Sequence, residues 1–268
     1  MAETGHDYEL VVIGGGNMGA ALLGGLLRDD TVTAERVAVV ELSAERRQVV
    51  AAEFPQVFVS ESLPNCRAAV LAVKPPVIAE VAAAAAAAGA ERVLSIAAGI
   101  TTAMLRAACG EGVDVVRSMP NMPAMVGEGV TAICTDTESD PAVLDWAGEL
   151  LAAVGMVIRV DEKHFDSVTG LIGSGPAYVF AFAEALIAAG AEAGLPEEVL
   201  EPMVTQLLSG SSVLLAAQGN PAALREAVTS PGGTTAAGLN VFNEQGLRAL
   251  VASAVTAAKT RSRELGAS

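Results

Sequence analysis

Short unbroken apolar runs, each ending at a glycine, proline or acidic residue, mark the first three-fifths of the chain; beyond that the apolar residues recur at helical spacing. LVVIGGG, from Leu10 to Gly16, predicts a buried strand entering a glycine turn, and NMGAALLGGLLRD predicts the helix that follows. RVAVVE, ending at Glu41, predicts the next strand and SAERRQVVAAEF its helix. AAVLAVKPP holds a third strand, stopped by Pro75 and Pro76. RVLSIAAG and DVVRSMP repeat the strand-then-turn pattern, and GMVIRV, ending at Val160, is the last of the series. Strands alternating with helices imply a doubly wound parallel sheet of the Rossmann type, with right-handed crossovers. From about Phe165 onward every periodic segment reads as helix, so we expect an α/β domain over residues 1–162 and an all-α domain over 163–268. The run Ala82–Ala88 predicts an exposed or loosely packed helix, because alanine is the best helix former.

Composition narrows the class. Of 268 residues, 52% are hydrophobic and 18% charged, which places the chain among globular proteins. The formal charge of −15 opposes a general affinity for nucleic acid, and 3% aromatics leave little for base stacking. An anionic ligand must therefore meet a local site of backbone N–H groups or a few chosen cations. Cys66, Cys109 and Cys134 are far apart, without metal-binding spacing, and read as reduced core residues. The beginning, MAETGHDYE, lacks the pattern of a signal peptide, and the alanine run is flanked too closely by Glu80, Glu91 and Arg92 to span a membrane. The expectation is a soluble cytoplasmic protein with no metal, nucleic-acid or membrane partner.

Gly14, Gly16 and Gly19 form a GxGxxG that follows a strand and opens a helix, the context a dinucleotide fingerprint requires. Gly14 permits the tight turn, Gly16 lets a pyrophosphate approach the backbone, and Gly19 allows close helix packing. Glu41 closes the second strand, where an acidic side chain bonds the adenosine ribose and favours NADH. Ser43, Arg46 and Arg47 follow at once and suit a 2′-phosphate, which favours NADPH, although both arginines also read as solvated helix residues. Lys74 directly follows a buried strand at the ligand-binding edge of the sheet and is a candidate cofactor residue. Arg117 reads as a salt-bridge partner, and Asn121, between two prolines, as a loop-fixing side chain. Asp166 and Glu184 form a conceivable acid–base pair, but Glu184 is better explained as a helix residue.

VTSPGGTTAAGL, residues 228–239, contains no charge, yet two hydroxyl pairs bracket a Pro-Gly-Gly turn before a helix. Such a turn brings backbone close to a ligand, and the helix N-terminus aims N–H groups at an anion. On local sequence alone Ser230 reads equally well as a helix N-cap.

LAVKPP (71–76), SIAAGIT (95–101), RSMPNMP (117–123), TGLIGSGPAYVF (169–180) and VTSPGGTTAAGL together, in this order, closely resemble the pyrroline-5-carboxylate reductase family. The resemblance spans nearly the whole chain, and SPGGTT is its most specific part. It implies an amino-terminal Rossmann domain and a carboxy-terminal helical domain that forms homodimers, often rings of dimers. It implies hydride transfer from a reduced nicotinamide, usually NADPH, to the imine carbon of 1-pyrroline-5-carboxylate, giving L-proline. It places Asn17 and Met18 on the cofactor turn, Val73, Lys74 and Pro75 beside the nucleotide, and Ala97, Ala98 and Gly99 against the nicotinamide. Ser230, Gly232, Gly233, Thr234 and Thr235 form the substrate loop, completed by a neighbouring subunit's helices; Thr235, with Ser230, partners the reacting nitrogen and carboxylate. Met122 and Ile172 depart from the family pattern, which commonly has threonine and serine there. A cyclic iminium arrives protonated from water, so a site of hydroxyls and amides suffices in a chain whose histidines are His6 and His164. The alternatives are another reductase on this plan, such as an imine reductase or a β-hydroxyacid dehydrogenase, and a non-catalytic nucleotide sensor. A β-hydroxyacid dehydrogenase would carry a catalytic lysine in the helix beginning near Gly175, which has none.

Overall fold

The computed structural model describes residues 7–266, so His6 lies outside the described residues. The strands are β1 (Tyr8–Ile13), β2 (Val37–Val40), β3 (Phe58–Ser60), β4 (Cys66–Leu71), β5 (Arg92–Ser95), β6 (Asp114–Met119), β7 (Gly129–Thr135) and β8 (Gly155–Arg159). They join in one sheet in the order β3-β2-β1-β4-β5-β6-β7-β8. Its first six strands are mutually parallel; β7 pairs antiparallel with β6, and β8 runs with β7.

Two features correct the sequence pattern. β3 and β7 were not among the expected strands, and the sheet is not parallel throughout. The link from β6 to β7 covers residues 120–128, a short 3-10 turn (Met122–Val126) closed by Gly127 at φ +77°. A parallel return needs a crossover of about a dozen residues or more, so the chain doubles back instead.

Five helices cover the sheet: α1 (Asn17–Arg28), α2 (Ala44–Glu53), α3 (Ile78–Ala87), α4 (Thr102–Cys109) and α5 (Val143–Ala152). Successive β1 residues point to opposite faces, as strand geometry requires. Leu10 and Val12 join Leu22, Leu23 and Leu26 of α1 and Leu151 of α5 in one core. Val11 and Ile13 join Ile78, Ala82 and Ala85 of α3 and Leu105 of α4 in the other. The alanine helix is exposed along one face, at Ala79, Ala83, Ala84 and Ala87, and packed along the other, where Ile78, Ala82 and Ala85 recur on one stripe and are buried. All three cysteines are free and buried, and burial pushes their thiols up to about 11 for Cys66 and Cys109 and about 12 for Cys134.

The remaining helices are α6 (Phe165–Val168), α7 (Gly175–Glu192), α8 (Glu197–Gln218), α9 (Pro221–Ala227), α10 (Thr234–Glu244) and α11 (Leu247–Gly266), with a π turn over Thr169–Gly173. By contacts the described residues form two compact units: those up to Ser174 together with those from Ala257 onward, and Gly175–Thr256. Residues 163–174 go with the sheet by packing, where Phe165 is buried beside Ala132 and Cys134. The end of α11 is held there too, as the Ser262 hydroxyl donates to Asp166 Oδ1 at 2.8 Å. In the second unit α7 and α8 approach through Gly190, where a Cβ would meet Leu200 Cδ2 at 2.5 Å. Only Leu200 and Val204 are buried hydrophobic residues among its described residues, while Phe180, Met203, Leu207, Val213 and Leu250 are more than half exposed.

Candidate active site

At the carboxyl end of β1 the chain turns through Gly14, at φ +109°, where a Cβ would lie 2.5 Å from the Ala72 carbonyl oxygen. A Cβ on Gly19 would lie 2.1 Å from the Gly14 carbonyl oxygen, so α1 starts hard against the turn. Gly16 differs: a Cβ there meets nothing within 4 Å. It is the N-cap of α1, with no side-chain cap and no acidic residue in the first turn. Exposed Gly16 and Asn17 therefore present uncompensated helix-end N–H groups to open space, a cradle suited to a pyrophosphate.

Glu41 reaches back to this loop. Its Oε2 accepts from the Gly15 backbone N–H at 2.9 Å and its Oε1 from that of Ser43 at 2.9 Å. The two arginines are not simply solvated. Arg46 donates through Nε to the Gly15 carbonyl, while Arg47 donates to the carbonyls of Glu41 and Leu42, both at 2.7 Å, and pairs with Glu61 at 3.1 Å. Ser43 caps α2 by accepting from Arg46 N–H at 3.2 Å. Beside the loop lies a mostly apolar groove of about 290 Å³, lined by Gly14, Leu42, Leu63, Val73 and Val77, with Glu41 at its wall. Its shape and lining suit a planar ring next to the phosphate cradle.

On the other side of β1 the chain leaves β4 through Val73 to exposed Lys74 and Pro75, the start of a 3-10 turn. It leaves β5 through buried Ala97 and Gly99, the latter at φ +79°, with Ala98 half-buried. Ser95 fixes this exit, its hydroxyl accepting from Ala97 N–H at 3.2 Å and its carbonyl from the Ser118 hydroxyl at 2.9 Å. Arg117, from β6, pairs with Glu162 at 3.0 Å and lies 4.5 Å over the Phe165 ring. Glu162 also accepts from the N–H and the hydroxyl of Thr102, both at 2.7 Å. Burial alone would raise the Glu162 carboxyl; the bonds from Thr102 and the Arg117 charge outweigh it and hold the group below the usual carboxylate range. No local signal marks this cluster in the sequence, because its members come from three separate segments. Asn121 fixes its loop, donating to the Ile172 carbonyl at 3.2 Å and accepting from Val130 N–H at 2.9 Å. The carbonyl is the only part of Ile172 used in that tie, so the departure from serine leaves it intact.

The SPGGTT loop belongs to the second unit. Ser230, Thr234 and Thr235 are exposed, and Gly232 takes φ +72°. The N-cap of α10 is Gly233, without a side-chain cap, and its first turn carries no acidic residue. Ser230 is therefore not the N-cap that local sequence allowed. Its carbonyl instead accepts from Gly233 N–H at 3.0 Å, and a Cβ on Gly233 would lie 2.3 Å from its hydroxyl oxygen. The loop thus keeps a helix N-terminus and two exposed threonine hydroxyls available to a carboxylate.

Comparison with known proteins identifies the architecture. Residues 162–265 match the family model for pyrroline-5-carboxylate reductase dimerisation. The chain is 40% identical to the pyrroline-5-carboxylate reductase of Mycobacterium tuberculosis, with 96% of each chain covered. It belongs to the pyrroline-5-carboxylate reductase family. Residues 9–99 match a second model, that of NADP oxidoreductases described as coenzyme F420-dependent. Among solved structures, the pyrroline-5-carboxylate reductase of Coxiella burnetii matches with TM-score 0.88 at 32% identity, covering 97% of this chain and 99% of that one. The Plasmodium falciparum pyrroline carboxylate reductase, solved with NADP bound, matches with TM-score 0.83 at 28% identity, covering 98% and 100%. The Rossmann-type sheet and helical carboxy-terminal region expected from the sequence are therefore those of the reductase family.

Proposed function

We propose that this chain is itself a pyrroline-5-carboxylate reductase, reducing the cyclic imine of 1-pyrroline-5-carboxylate to L-proline in the last step of proline biosynthesis. The observation that carries the reading is the pairing, in one chain of this family, of an open glycine cradle at Gly16 with the uncapped SPGGTT helix start at Gly233. Asn17, Met18 and the N–H groups of α1 would hold the pyrophosphate, the groove by Leu42 and Val73 the adenine, and Lys74 and Pro75 the border between the halves. When bound, the reduced nicotinamide supplies the hydride. NADPH is the favoured cofactor: Arg46 sits on the glycine loop, and both Glu41 oxygens already accept backbone N–H groups. NADH remains a usable second cofactor because Glu41 borders the same groove.

The α10 N-terminus, with Ser230, Gly232, Gly233 and Thr234, would bind the substrate carboxylate through charge-assisted bonds. The Thr235 hydroxyl would orient the ring nitrogen, which arrives protonated, so the carbon accepts hydride without a strong protein acid. Among the described residues there is no group of three or more His, Cys, Asp and Glu that could hold a metal ion.

We further propose that the active form is a homodimer, the building block of a ring of dimers. In the second unit Leu200 and Val204 are the buried hydrophobics among the described residues, and its exposed apolar side chains lie within the region matched by the dimerisation model. Glu162–Glu192 and Glu197–Gln218 are long and apolar enough to cross a membrane by length and composition, but a partner subunit covers such faces equally well. We place the enzyme in the cytoplasm, where its three buried thiols stay reduced. The test is nicotinamide absorbance with purified protein, pyrroline-5-carboxylate and NADPH or NADH, with proline identified as product and mass measured in solution. Oxidation with proline formed by a dimer or larger assembly is expected; absent turnover, or a strictly monomeric active enzyme, overturns the corresponding part.

A further inference from the structure

We propose that Glu162 is a positioning residue for hydride transfer, holding the loop from Ile96 to Thr101 at its working height through Thr102 and Arg117. The inference rests on the reductase reading. β5 lies two places from β1 in the sheet, on the side opposite β2. A dinucleotide centred on the glycine loop lays its adenosine half toward β2 and its other half toward β4 and β5. The loop after β5 therefore underlies the reacting ring.

That loop is tied at both ends. Ser95 holds its start through the Ala97 N–H at 3.2 Å. Glu162 holds its end, accepting the N–H and hydroxyl of Thr102 at 2.7 Å each. Thr101 caps α4 by accepting from Met104 N–H at 3.1 Å, and Glu162 takes a second of the unpaired N–H groups at that helix start, so the same carboxylate fixes both the end of the loop and the start of α4. Arg117 completes the clamp: its side chain is 7% exposed, 3.0 Å from Glu162 and 4.5 Å over the Phe165 ring. Glu162 begins the 3-10 turn Glu162–His164 that leads into α6, so the clamp joins the loop to the segment entering the helical region. A displacement of about 1 Å at a reacting centre lowers rates roughly a hundredfold, and within this loop Gly99, at φ +79°, is buried against the backbone of Gly266.

The experiment compares the parent enzyme with Glu162→Gln and Thr102→Val in single-turnover NADPH oxidation. It also measures the affinity for 2′-phospho-ADP-ribose, which lacks the nicotinamide ring. Glutamine removes the charge facing Arg117, and valine removes only the hydroxyl bond. We expect the hydride-transfer rate of Glu162→Gln to fall roughly tenfold to a hundredfold, and that of Thr102→Val to fall less but in the same direction. Affinity for 2′-phospho-ADP-ribose is expected to stay within about twofold, giving a kcat loss without loss of adenosine-half binding. A larger isotope effect with 4-deuterated NADPH accompanies the slower step. Unchanged hydride transfer in either soluble variant overturns the proposal, as does a parallel fall in rate, 2′-phospho-ADP-ribose affinity and thermal midpoint, which marks a merely structural role. Should Glu162→Gln fail to fold, Thr102→Val decides by the same readouts. A parent enzyme that does not oxidise NADPH with pyrroline-5-carboxylate overturns both this inference and the reading beneath it.

Discussion

Two glycines two residues apart, Gly14 and Gly16, should respond to alanine in opposite ways. At Gly14 the backbone sits at φ +109° and the added Cβ would stand 2.5 Å from the rigid Ala72 carbonyl oxygen. The dihedral costs about 1–2 kcal/mol and the overlap a further ~1–3 kcal/mol, for a total of about 2–5 kcal/mol. At about 2–4 °C per kcal/mol for a unit of this size, the thermal midpoint should fall by roughly 4–20 °C. Gly16→Ala meets nothing within 4 Å and takes an ordinary extended conformation, so its stability cost stays below about 1 kcal/mol. Its methyl instead occupies the space through which a pyrophosphate reaches the α1 N–H groups. Losing one charge-assisted bond of about 1.5–3 kcal/mol weakens cofactor binding roughly tenfold to a hundredfold. Calorimetry gives the midpoints, and enhancement of NADPH fluorescence gives the affinities. An unchanged midpoint in Gly14→Ala refutes the steric argument; undiminished NADPH affinity in Gly16→Ala refutes backbone contact at the cradle.

Thr235→Ala should lower kcat roughly tenfold to a hundredfold while leaving the KM for NADPH nearly intact; an unchanged rate removes Thr235 from the mechanism. Arg46→Ala should raise the KM for NADPH about tenfold and leave that for NADH within about twofold, and equal changes with both cofactors refute the 2′-phosphate role. Asp136 is half-buried against Arg106, and although that burial opposes ionisation, bonds from Arg106 and Ser139 bring its carboxyl down to about 2 from 3.8. Because the folded value is depressed, the stabilisation is complete above pH 3.8 and is lost as pH falls toward about 2. It amounts to about 2 kcal/mol. Urea unfolding from pH 5 to 2 should therefore show a steeper loss of stability in the parent than in Asp136→Asn, and identical slopes overturn this assignment.

Much of the architecture was legible in local sequence. The glycine spacing after β1, the apolar runs of the central strands and the helical periodicity beyond Phe165 are set by backbone geometry within a few residues, and these survive in the folded chain. The brief β3, only three residues long, carries too little pattern to stand out. β7 was missed for a different reason: its direction depends on the short link from β6, and burial on both faces erases strand alternation. The alanine run announced a helix but not its packed stripe, because every position in it carries the same side chain.

The roles of charged residues were decided by tertiary contact. Glu41 reads in the sequence as a ribose ligand; only the turn of the chain shows it accepting from Gly15, 26 residues away. Glu162 carried no sequence signal, since Thr102 lies 60 residues from it and Arg117 lies 45. Short-range preferences set by φ, side-chain volume and periodicity are written into neighbouring residues. Hydrogen bonds and ion pairs fall off within a few ångströms, so for groups this far apart in sequence they come into being only when the fold brings their atoms together.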